Sequence, residues 1–358
     1  MATPADAFAR AVQRAALQRQ SALLTGIQRY RHHPYARDVS DPPPIWRDGA
    51  SCLHDYGAVP EAADPGGPPL LCVPSLINRA YVLDLKSDAS FLRFLAAAGW
   101  RPLLLDWGAP GQAERGFDLT AYVAGRLEAA LDVAADLADG PVPVLGYCMG
   151  GTLALALAQR RPRDVAALAL LAAPWDFHAG QAAQAAVMAR TCHLLEPVLQ
   201  TLGELPTDHI QALFAGLDPQ TAVRKFLAFA RMDPASPRAA AFVALEDWLN
   251  DGVPLAAPVA RTCMGEWYGQ NTPANGEWRI AGRAVLPREV RCPSLAVVPE
   301  ADRIVPPASA RAVTATLPDS QVWTPAVGHI GMMAGKRART AVWAPLVRWL
   351  NARVVQRT

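Results

Sequence analysis

The chain has 358 residues, of which 51% are hydrophobic, so it is long enough for one large α/β domain or for a core plus an inserted cap. Its 34 Lys and Arg residues almost balance 32 Asp and Glu residues, which leaves a net charge of +2. This balance gives no reason to expect a nucleic-acid partner.

Residues 1–49 are predicted to form a helical arm and a proline-rich connector. Apolar side chains follow helical spacing over residues 4–30, with arginines between them. Such a helix either packs on the core surface or forms an arm that touches a partner subunit, a polymer or a lipid surface. Prolines at 42–44 cannot lie inside a helix, so they predict an extended connector.

Strands and helices alternate over residues 50–175 and again over 291–358, which predicts an α/β core with a mostly parallel sheet. The predicted strands are 70–73, 102–105, 143–146, 166–172, 294–298 and 321–324. The predicted helices are 90–98, 119–137, 150–160, 308–317 and 340–350. Between 176 and 290 the alternation stops, and this aromatic-rich stretch is predicted to be an inserted helical cap. Its aromatic side chains either fill its own core or line a path for substrate.

Cys148 lies between a predicted strand and a predicted helix, flanked by Gly146 and Gly150. This is the nucleophile-elbow pattern of the α/β-hydrolase fold, with Cys in the usual place of Ser. Glycines two residues before and after the nucleophile avoid a collision with the neighbouring backbone. The N-terminus of the following helix favours a thiolate and an oxyanion beside it. The alternative is that Cys148 is a small buried apolar residue.

Two later loops supply the expected partners of this nucleophile. Asp302 follows the strand 294–298, and His329 follows the strand 321–324, so the chain order is nucleophile, acid, base. Asp302 would orient the imidazole and His329 would move the protons. Glu300 and Asp176 are the rival acids at this stage.

The oxyanion hole requires two backbone N–H donors. Met149, which follows the nucleophile, is the first candidate, and Leu76, in the loop after the strand 70–73, is the second. Asp106 also follows a strand, and we expect it to shape its loop.

The six cysteines are scattered, with no Cys-x-x-Cys pair and no Cys/His cluster at zinc spacing. They are expected to be reduced thiols in the cytoplasm, and we predict neither a metal site nor a cofactor. The sequence shows no secretory signal and no apolar run of about 18 residues that would span a membrane.

A thiol nucleophile favours thioester chemistry. Transfer from a thioester onto Cys148 is nearly isoenergetic, so the acyl group stays activated for attack by a hydroxyl. A serine ester would already have lost that activation, and hydrolysis would be its natural outcome.

Several motifs in matching order resemble those of the polyhydroxyalkanoate synthases, especially the short class that works with a second subunit. These motifs are Val73-Pro74-Ser75-Leu76-Ile77-Asn78-Arg79, Leu83-Asp84-Leu85, Asp106-Trp107-Gly108, Gly146-Tyr147-Cys148-Met149-Gly150-Gly151-Thr152, Trp248-Leu249-Asn250-Asp251-Gly252, Asp302-Arg303-Ile304-Val305-Pro306 and Gly328-His329-Ile330-Gly331. The resemblance covers most of residues 50–350.

The resemblance implies an α/β-hydrolase fold and a hydroxyacyl-CoA substrate, with Cys148, Asp302 and His329 as the catalytic set. It also implies work at polyester granules and association with a second synthase subunit or with a second copy of the chain. The alternative functions are a Cys-dependent hydrolase of thioesters, esters or polyesters, and a non-enzymatic binding module.

Overall fold

The computed structural model describes residues 3–354, apart from the side chain at position 217, and its centre is an eight-stranded sheet. The strands are β1 Pro44–Asp48, β2 Ser51–Asp55, β3 Pro69–Val73, β4 Arg101–Asp106, β5 Val142–Tyr147, β6 Val165–Leu171, β7 Ser294–Val297 and β8 Ser320–Trp323. Their order across the sheet is β1-β2-β4-β3-β5-β6-β7-β8. The β1–β2 and β2–β4 pairs are antiparallel, and the remaining pairs are parallel. The predicted α/β class and all six predicted strands are confirmed.

The helices are α1 Pro4–Arg31, α2 Phe91–Ala97, α3 Glu128–Ala138, α4 Met149–Arg160, α5 Ala182–Leu202, α6 Thr207–Leu217, α7 Thr221–Phe229, α8 Pro237–Asn250, α9 Ala257–Arg261, α10 Thr272–Asn275, α11 Pro307–Ala312, α12 Gly331–Ala334 and α13 Ala344–Arg353. Wider π-helical turns precede α3 and α13, and one follows α9. The predicted helices are confirmed, with boundaries that shift by a few residues.

Two apolar clusters cover the two faces of the sheet. On one face, Leu131 of α3 and Leu157 of α4 are buried in the same cluster as Leu103 of β4. On the other, Phe91 of α2 and Trp343, just before α13, are buried with their ring centroids 5.7 Å apart. The fold is therefore a three-layer α/β/α arrangement, held mainly by burial of these apolar faces.

The hairpin β1–β2 was not among the predicted strands. Asp48 pairs with Ser51, and Gly49 between them has a φ of 56°, which a glycine adopts without steric penalty. An Asp-Gly dipeptide is a strong hairpin signal that could have identified this turn. β1 begins at Pro44, so the sheet extends into the range predicted as a connector.

α1 docks on the cap through its C-terminal end only. Gly26 is buried there, and a Cβ at this position would lie 2.2 Å from the carbonyl oxygen of Phe226 in α7. Nη1 of Arg29 donates to the carbonyl of Ala230 at 2.7 Å, and the hydroxyl of Tyr30 donates to Oδ1 of Asp247 at 2.8 Å. Residues 3–21 are exposed, so this half of α1 forms a projecting arm.

The predicted cap consists of two parts with different packing. Helices α6, α7 and α8 surround a cavity that opens at Cys148, directly after β5. By contrast, Trp267 and Trp278 are buried in the large cluster that also contains the β4 side chains. The aromatic rings of the part of the cap that contains Trp267 and Trp278 therefore fill the core. Within residues 3–354, no helix is both long enough and apolar enough to cross a bilayer.

Candidate active site

Cys148 occupies a sharp turn between β5 and α4. Its backbone has φ 54° and ψ −129°, a conformation that side-chain-bearing residues adopt only when the surroundings enforce it. Its N–H donates to the carbonyl of Leu171 in β6 at 2.8 Å, and α4 starts at Met149. The turn therefore presents the thiol at the carboxyl edge of the sheet and at the N-terminus of a helix.

Gly146 and Gly150 allow this turn to close. A Cβ on Gly146 would lie 2.4 Å from the Cα of Gly151. A Cβ on Gly150 would lie 2.2 Å from the carbonyl oxygen of Val73 and 2.4 Å from that of Pro74. The second contact also shows that the loop after β3 packs directly against the start of α4.

Asp302 and His329, from two separate loops, are in direct contact in the structure. Nδ1 of His329 lies 2.7 Å from Oδ2 of Asp302, and the Asp302 side chain has no exposed surface. The other carboxylate oxygen, Oδ1, accepts the N–H groups of Ile304 and Val305, both at 2.9 Å. These bonds fix the carboxylate, which in turn fixes the ring of His329.

The surroundings of His329 favour its protonated form. Burial alone would lower the pKa of this ring, but the charge of Cys148 and the hydrogen bonds that the protonated ring donates to Asp302 and Cys148 outweigh it. The pKa is raised from 6.5 to about 10. The charges and hydrogen bonds around the ring of His329 therefore favour an imidazolium at this position.

The rival acids lie elsewhere. Glu300 is exposed to solvent near the start of the same loop. Oδ1 of Asp176 accepts the N–H groups of His178 and Ala179 and the side-chain amide of Asn271, which anchors the entry to the cap. Asp106 shapes its loop by accepting the N–H of Gly108 at 2.9 Å.

The two predicted oxyanion donors lie at the start of α4 and in the loop after β3. Within the described part of the chain, the backbone N–H groups of Met149 and Leu76 donate to no acceptor. Leu76 lies between Ser75 and Ile77, which line the cavity at Cys148. Their use as an oxyanion hole remains a prediction.

A cavity of about 510 Å³ opens at Cys148 and His329. Its walls are the loop after β3, the acid loop around Arg303, and the cap helices α6, α7 and α8. The cap contributes both apolar and charged side chains to the lining, among them Phe214, Trp248 and Lys225. This volume suits a small ligand, and the cap helices cover the cavity.

Cys148 differs from the other cysteines in its accessibility. It is half-buried and lines the cavity, whereas Cys52, Cys72, Cys192, Cys263 and Cys292 are buried. Desolvation raises the pKa of each of these five thiols. They are therefore held in the unreactive protonated form.

Tyr147 and Asp218 are site residues that the sequence analysis did not identify. The ring of Tyr147 lies with its centroid 5.2 Å from that of His329, and its hydroxyl donates to the His329 carbonyl at 3.3 Å. Oδ2 of Asp218, between α6 and α7, pairs with Nη1 of Arg303 at 3.2 Å, which joins the cap to the acid loop. The Asp218–Arg303 pair depends on the placement of the cap, and the Tyr147–His329 contact depends on the path of the loop after β8; local sequence patterns encode neither.

The sequence model of the alpha/beta hydrolase fold family matches residues 68–335. This range contains the elbow, both partner loops and the cap. It therefore covers every residue of the candidate site.

The chain is also similar to several named proteins. It is 28% identical to a poly(3-hydroxyalkanoate) polymerase subunit PhaC of Thiocystis violacea, with 88% of this chain and 89% of that protein covered. The figures for the subunit of Allochromatium vinosum are the same. For the subunit of Haloferax mediterranei, identity is 29% over 80% of this chain, which spans 59% of that protein.

Solved structures share the fold. A putative non-heme bromoperoxidase of Mycobacterium tuberculosis superposes with a TM-score of 0.54 at 17% identity, covering 89% of this chain and 99% of its own. An esterase of Thermogutta terrifontis gives 0.50 at 18% identity, covering 87% and 98%. At this level of identity the likeness concerns architecture alone.

Proposed function

The chain belongs to the α/β-hydrolase fold family, and we propose that it is a polyhydroxyalkanoate synthase that polymerises 3-hydroxyacyl groups from CoA thioesters. One observation carries the proposal: a cysteine at the elbow, beside a buried His–Asp pair, opens into a roofed cavity. The named polymerase subunits, aligned over most of the chain, support this substrate class.

Acylation is the first step of the proposed reaction. The Cys148 thiolate attacks the thioester carbonyl, and the resulting oxyanion is stabilised by the N–H groups of Met149 and Leu76. The carbon–sulfur bond to CoA then breaks. The CoA thiolate takes a proton from the imidazolium of His329, which leaves that ring neutral.

Elongation is the second step. Neutral His329 accepts the proton of a chain-end hydroxyl while its oxygen attacks the acyl carbonyl on Cys148. The acyl–sulfur bond breaks, the new ester bond forms, and the thiolate–imidazolium pair returns. Asp302 holds the ring through Nδ1 in both steps, so that Nε2 carries the transferred proton.

The proposed surroundings of the enzyme follow from the same family. We place it in the cytoplasm at the surface of polyester granules, with CoA thioester as substrate and no cofactor in the reaction. The arm of α1 exposes Phe8 (72%), Val12 (52%) and Leu17 (58%), which supports contact with a second synthase subunit, a second copy of the chain, or the polymer.

The deciding experiment is incubation of the purified chain with 3-hydroxybutyryl-CoA. Released CoA is followed with a thiol reagent, and the acyl product is analysed as insoluble polymer or as free hydroxy acid. CoA release together with polymer is expected, and Cys148→Ala should abolish both.

Free 3-hydroxybutyrate as the sole acyl product would instead establish a Cys-dependent thioesterase, the alternative function. Because a missing second subunit could prevent elongation, the assay is repeated with a short hydroxyl-terminated oligomer as primer. Hydrolysis without extension of this primer would overturn the polymerase proposal.

A further inference from the structure

A second cluster of polar side chains lies on the sheet, on strands away from the elbow. Cys52 and His54 of β2 and Asp106 of β4 each direct one potential ligand atom into a common space, and these atoms all lie within 4.8 Å of one another. Sγ of Cys52 is 3.2 Å from Nε2 of His54. Neither the elbow nor its partner loops use these three residues.

The sheet register builds this cluster. Cys52 pairs directly with Asp106 across the antiparallel β2–β4 ladder, so their side chains project from the same face. His54 lies two residues after Cys52, and alternation along the strand places it on that face as well. Local Cys and His spacing does not reveal this cluster, because its third member, Asp106, comes from a strand about 50 residues further on.

The remaining polar atoms of the cluster are already engaged in a way that orients it. Nδ1 of His54 lies 2.6 Å from the carbonyl of Pro42, which can only accept, so Nδ1 carries the hydrogen and Nε2 presents its lone pair. Oδ1 of Asp106 accepts the N–H of Gly108, which leaves Oδ2 free to bind. A backbone carbonyl behind a histidine is a common way to orient a metal-binding imidazole.

We propose that Cys52, His54 and Asp106 bind one divalent metal ion of zinc type. Sulfur, imidazole nitrogen and carboxylate oxygen are the three ligand types that Zn²⁺ takes in proteins, and water would complete a tetrahedron. Binding converts the Cys52 thiol to a thiolate and releases its proton to solvent. His54 and Asp106 are half-buried, so an ion can enter from solvent.

Such an ion would have a structural role. It would link β2, the second strand of the sheet, to the end of β4 and to the turn at Asp106. The neighbouring residue, Trp107, donates its Nε1–H to the carbonyl of Pro74 at 3.0 Å, in the loop that supplies the predicted oxyanion donor Leu76. The metal would therefore steady this loop without touching substrate.

The test is titration of the metal-free full chain with Co²⁺ and Zn²⁺, in a Cys148→Ala background that removes the accessible thiol. One equivalent of Co²⁺ should produce a sulfur-to-cobalt charge-transfer band and tetrahedral d–d bands, and Zn²⁺ should displace it and raise the Tm. Cys52→Ser should lose the charge-transfer band. His54→Gln and Asp106→Asn should bind more than about 100-fold more weakly, since loss of an outer-shell partner alone gives about 10–100-fold.

Cys72→Ser is the matched control, because Cys72 is a buried thiol on β3, the strand that pairs with β4 on the side away from β2. It should bind Co²⁺ as the background protein does. Absence of stoichiometric binding, a charge-transfer band that persists in Cys52→Ser, or equal loss in Cys72→Ser would overturn the proposal. Asp106→Asn retains an acceptor for Gly108, so it keeps the test decisive if Cys52→Ser folds poorly.

Discussion

Oδ2 of Asp302 and Nδ1 of His329 are 2.7 Å apart, and the carboxylate that forms this contact is completely removed from solvent. Its second oxygen is held by two backbone N–H groups of its own loop. The carboxylate therefore cannot turn away from the ring, and the ring keeps Nε2 towards the cavity. This pair is the most constrained part of the candidate site.

Replacing Asp302 with Asn should slow CoA release strongly while the fold persists. The amide nearly preserves the shape of the carboxylate but removes the charge that stabilises the imidazolium and that fixes the tautomer of the neutral ring. By comparison with other His–carboxylate pairs, we expect a fall in kcat of roughly 10²–10⁴-fold. Glu300→Gln, an exposed acid in the same loop, is the control and should retain normal turnover. Equal losses in both variants would contradict the role of Asp302.

Alkylation should distinguish Cys148 from the other thiols. Brief treatment of the native chain with iodoacetamide should add one label, at Cys148. The other five thiols are buried, so the reagent does not reach them and desolvation keeps them protonated. Peptide mass spectrometry locates the label, and loss of CoA release should parallel its incorporation. The Cys148→Ala protein should take up no label under the same conditions. Rapid labelling of Cys192 or Cys292 in the native chain would refute this assignment.

Gly150→Ala should destabilise the elbow. The added Cβ would lie 2.2 Å and 2.4 Å from two backbone oxygens, so the start of α4 must move away from the loop after β3. We expect a loss of about 1–3 kcal/mol or more in the free energy of unfolding, measured by urea denaturation, together with slower acylation. Gly125→Ala is the control, since a Cβ there meets no heavy atom within 4 Å. Similar stability in both variants would show that the elbow is not closely packed.

Local patterns were sufficient to predict the elbow and the order of its partner loops. Short apolar strands and Ala/Leu-rich helices are encoded by periodicity within about ten residues, and the glycines around Cys148 are a steric requirement of the turn itself. The choice of acid was harder. Asp302 and Asp176 both follow core strands, and only the path of each loop decides which reaches His329.

Features that depend on distant segments were not predictable in the same way. The division of the cap depends on which aromatic faces meet the sheet: Trp267 is buried in the core, whereas Phe214 lines the cavity. The Cys52 cluster requires the register between β2 and β4, which sequence spacing does not reveal. The β1–β2 hairpin is a different case, because its Asp48–Gly49 turn is a local signal that the sequence itself contains.

The pKa of His329 should fall when Cys148 is replaced with Ala. The raised value of about 10 depends on the charge and hydrogen bond of Cys148 as well as on Asp302, and burial acts in the opposite direction. Titration of the ring by ¹H–¹⁵N NMR should therefore show a lower pKa in Cys148→Ala. Cys292→Ala, a change at a buried cysteine outside the cavity lining, should leave the titration unchanged. An unchanged pKa in Cys148→Ala would contradict a thiolate–imidazolium pair.

The same shift predicts how stability varies with pH. Because the pKa of His329 in the folded chain lies above the unfolded value of 6.5, protonation of this ring stabilises the folded state. This stabilisation is fully present below pH 6.5 and is lost as the pH rises towards about 10. The free energy of unfolding should therefore decline less over this interval in Cys148→Ala than in the unmodified chain. Denaturant titrations at several pH values measure the difference. A steeper decline in the variant would reverse the assigned sign.

The cap over the cavity should open in two stages of different stability. The described side chains of α6 and α7 include one buried residue each, Ile210 and Phe229, whereas α8 buries several, among them Trp248. Nε1 of Trp248 also donates to the carbonyl of Arg79 at 2.8 Å, which ties α8 to the core. We therefore expect amides of residues 207–229 to exchange with solvent faster than those of 237–250, because fewer buried contacts oppose their opening.

Arg303→Ala should accelerate exchange in residues 207–229 further, since it removes the ion pair that joins Asp218 to the acid loop. The effect should be modest and should shrink at high salt, because the guanidinium is 80% exposed. Arg311→Ala, at an exposed position on α11, is the control. Hydrogen exchange followed by mass spectrometry reports both regions in one experiment. Slow and uniform exchange across residues 180–260 would mean that the roof does not open, and that substrate and product must pass by another route.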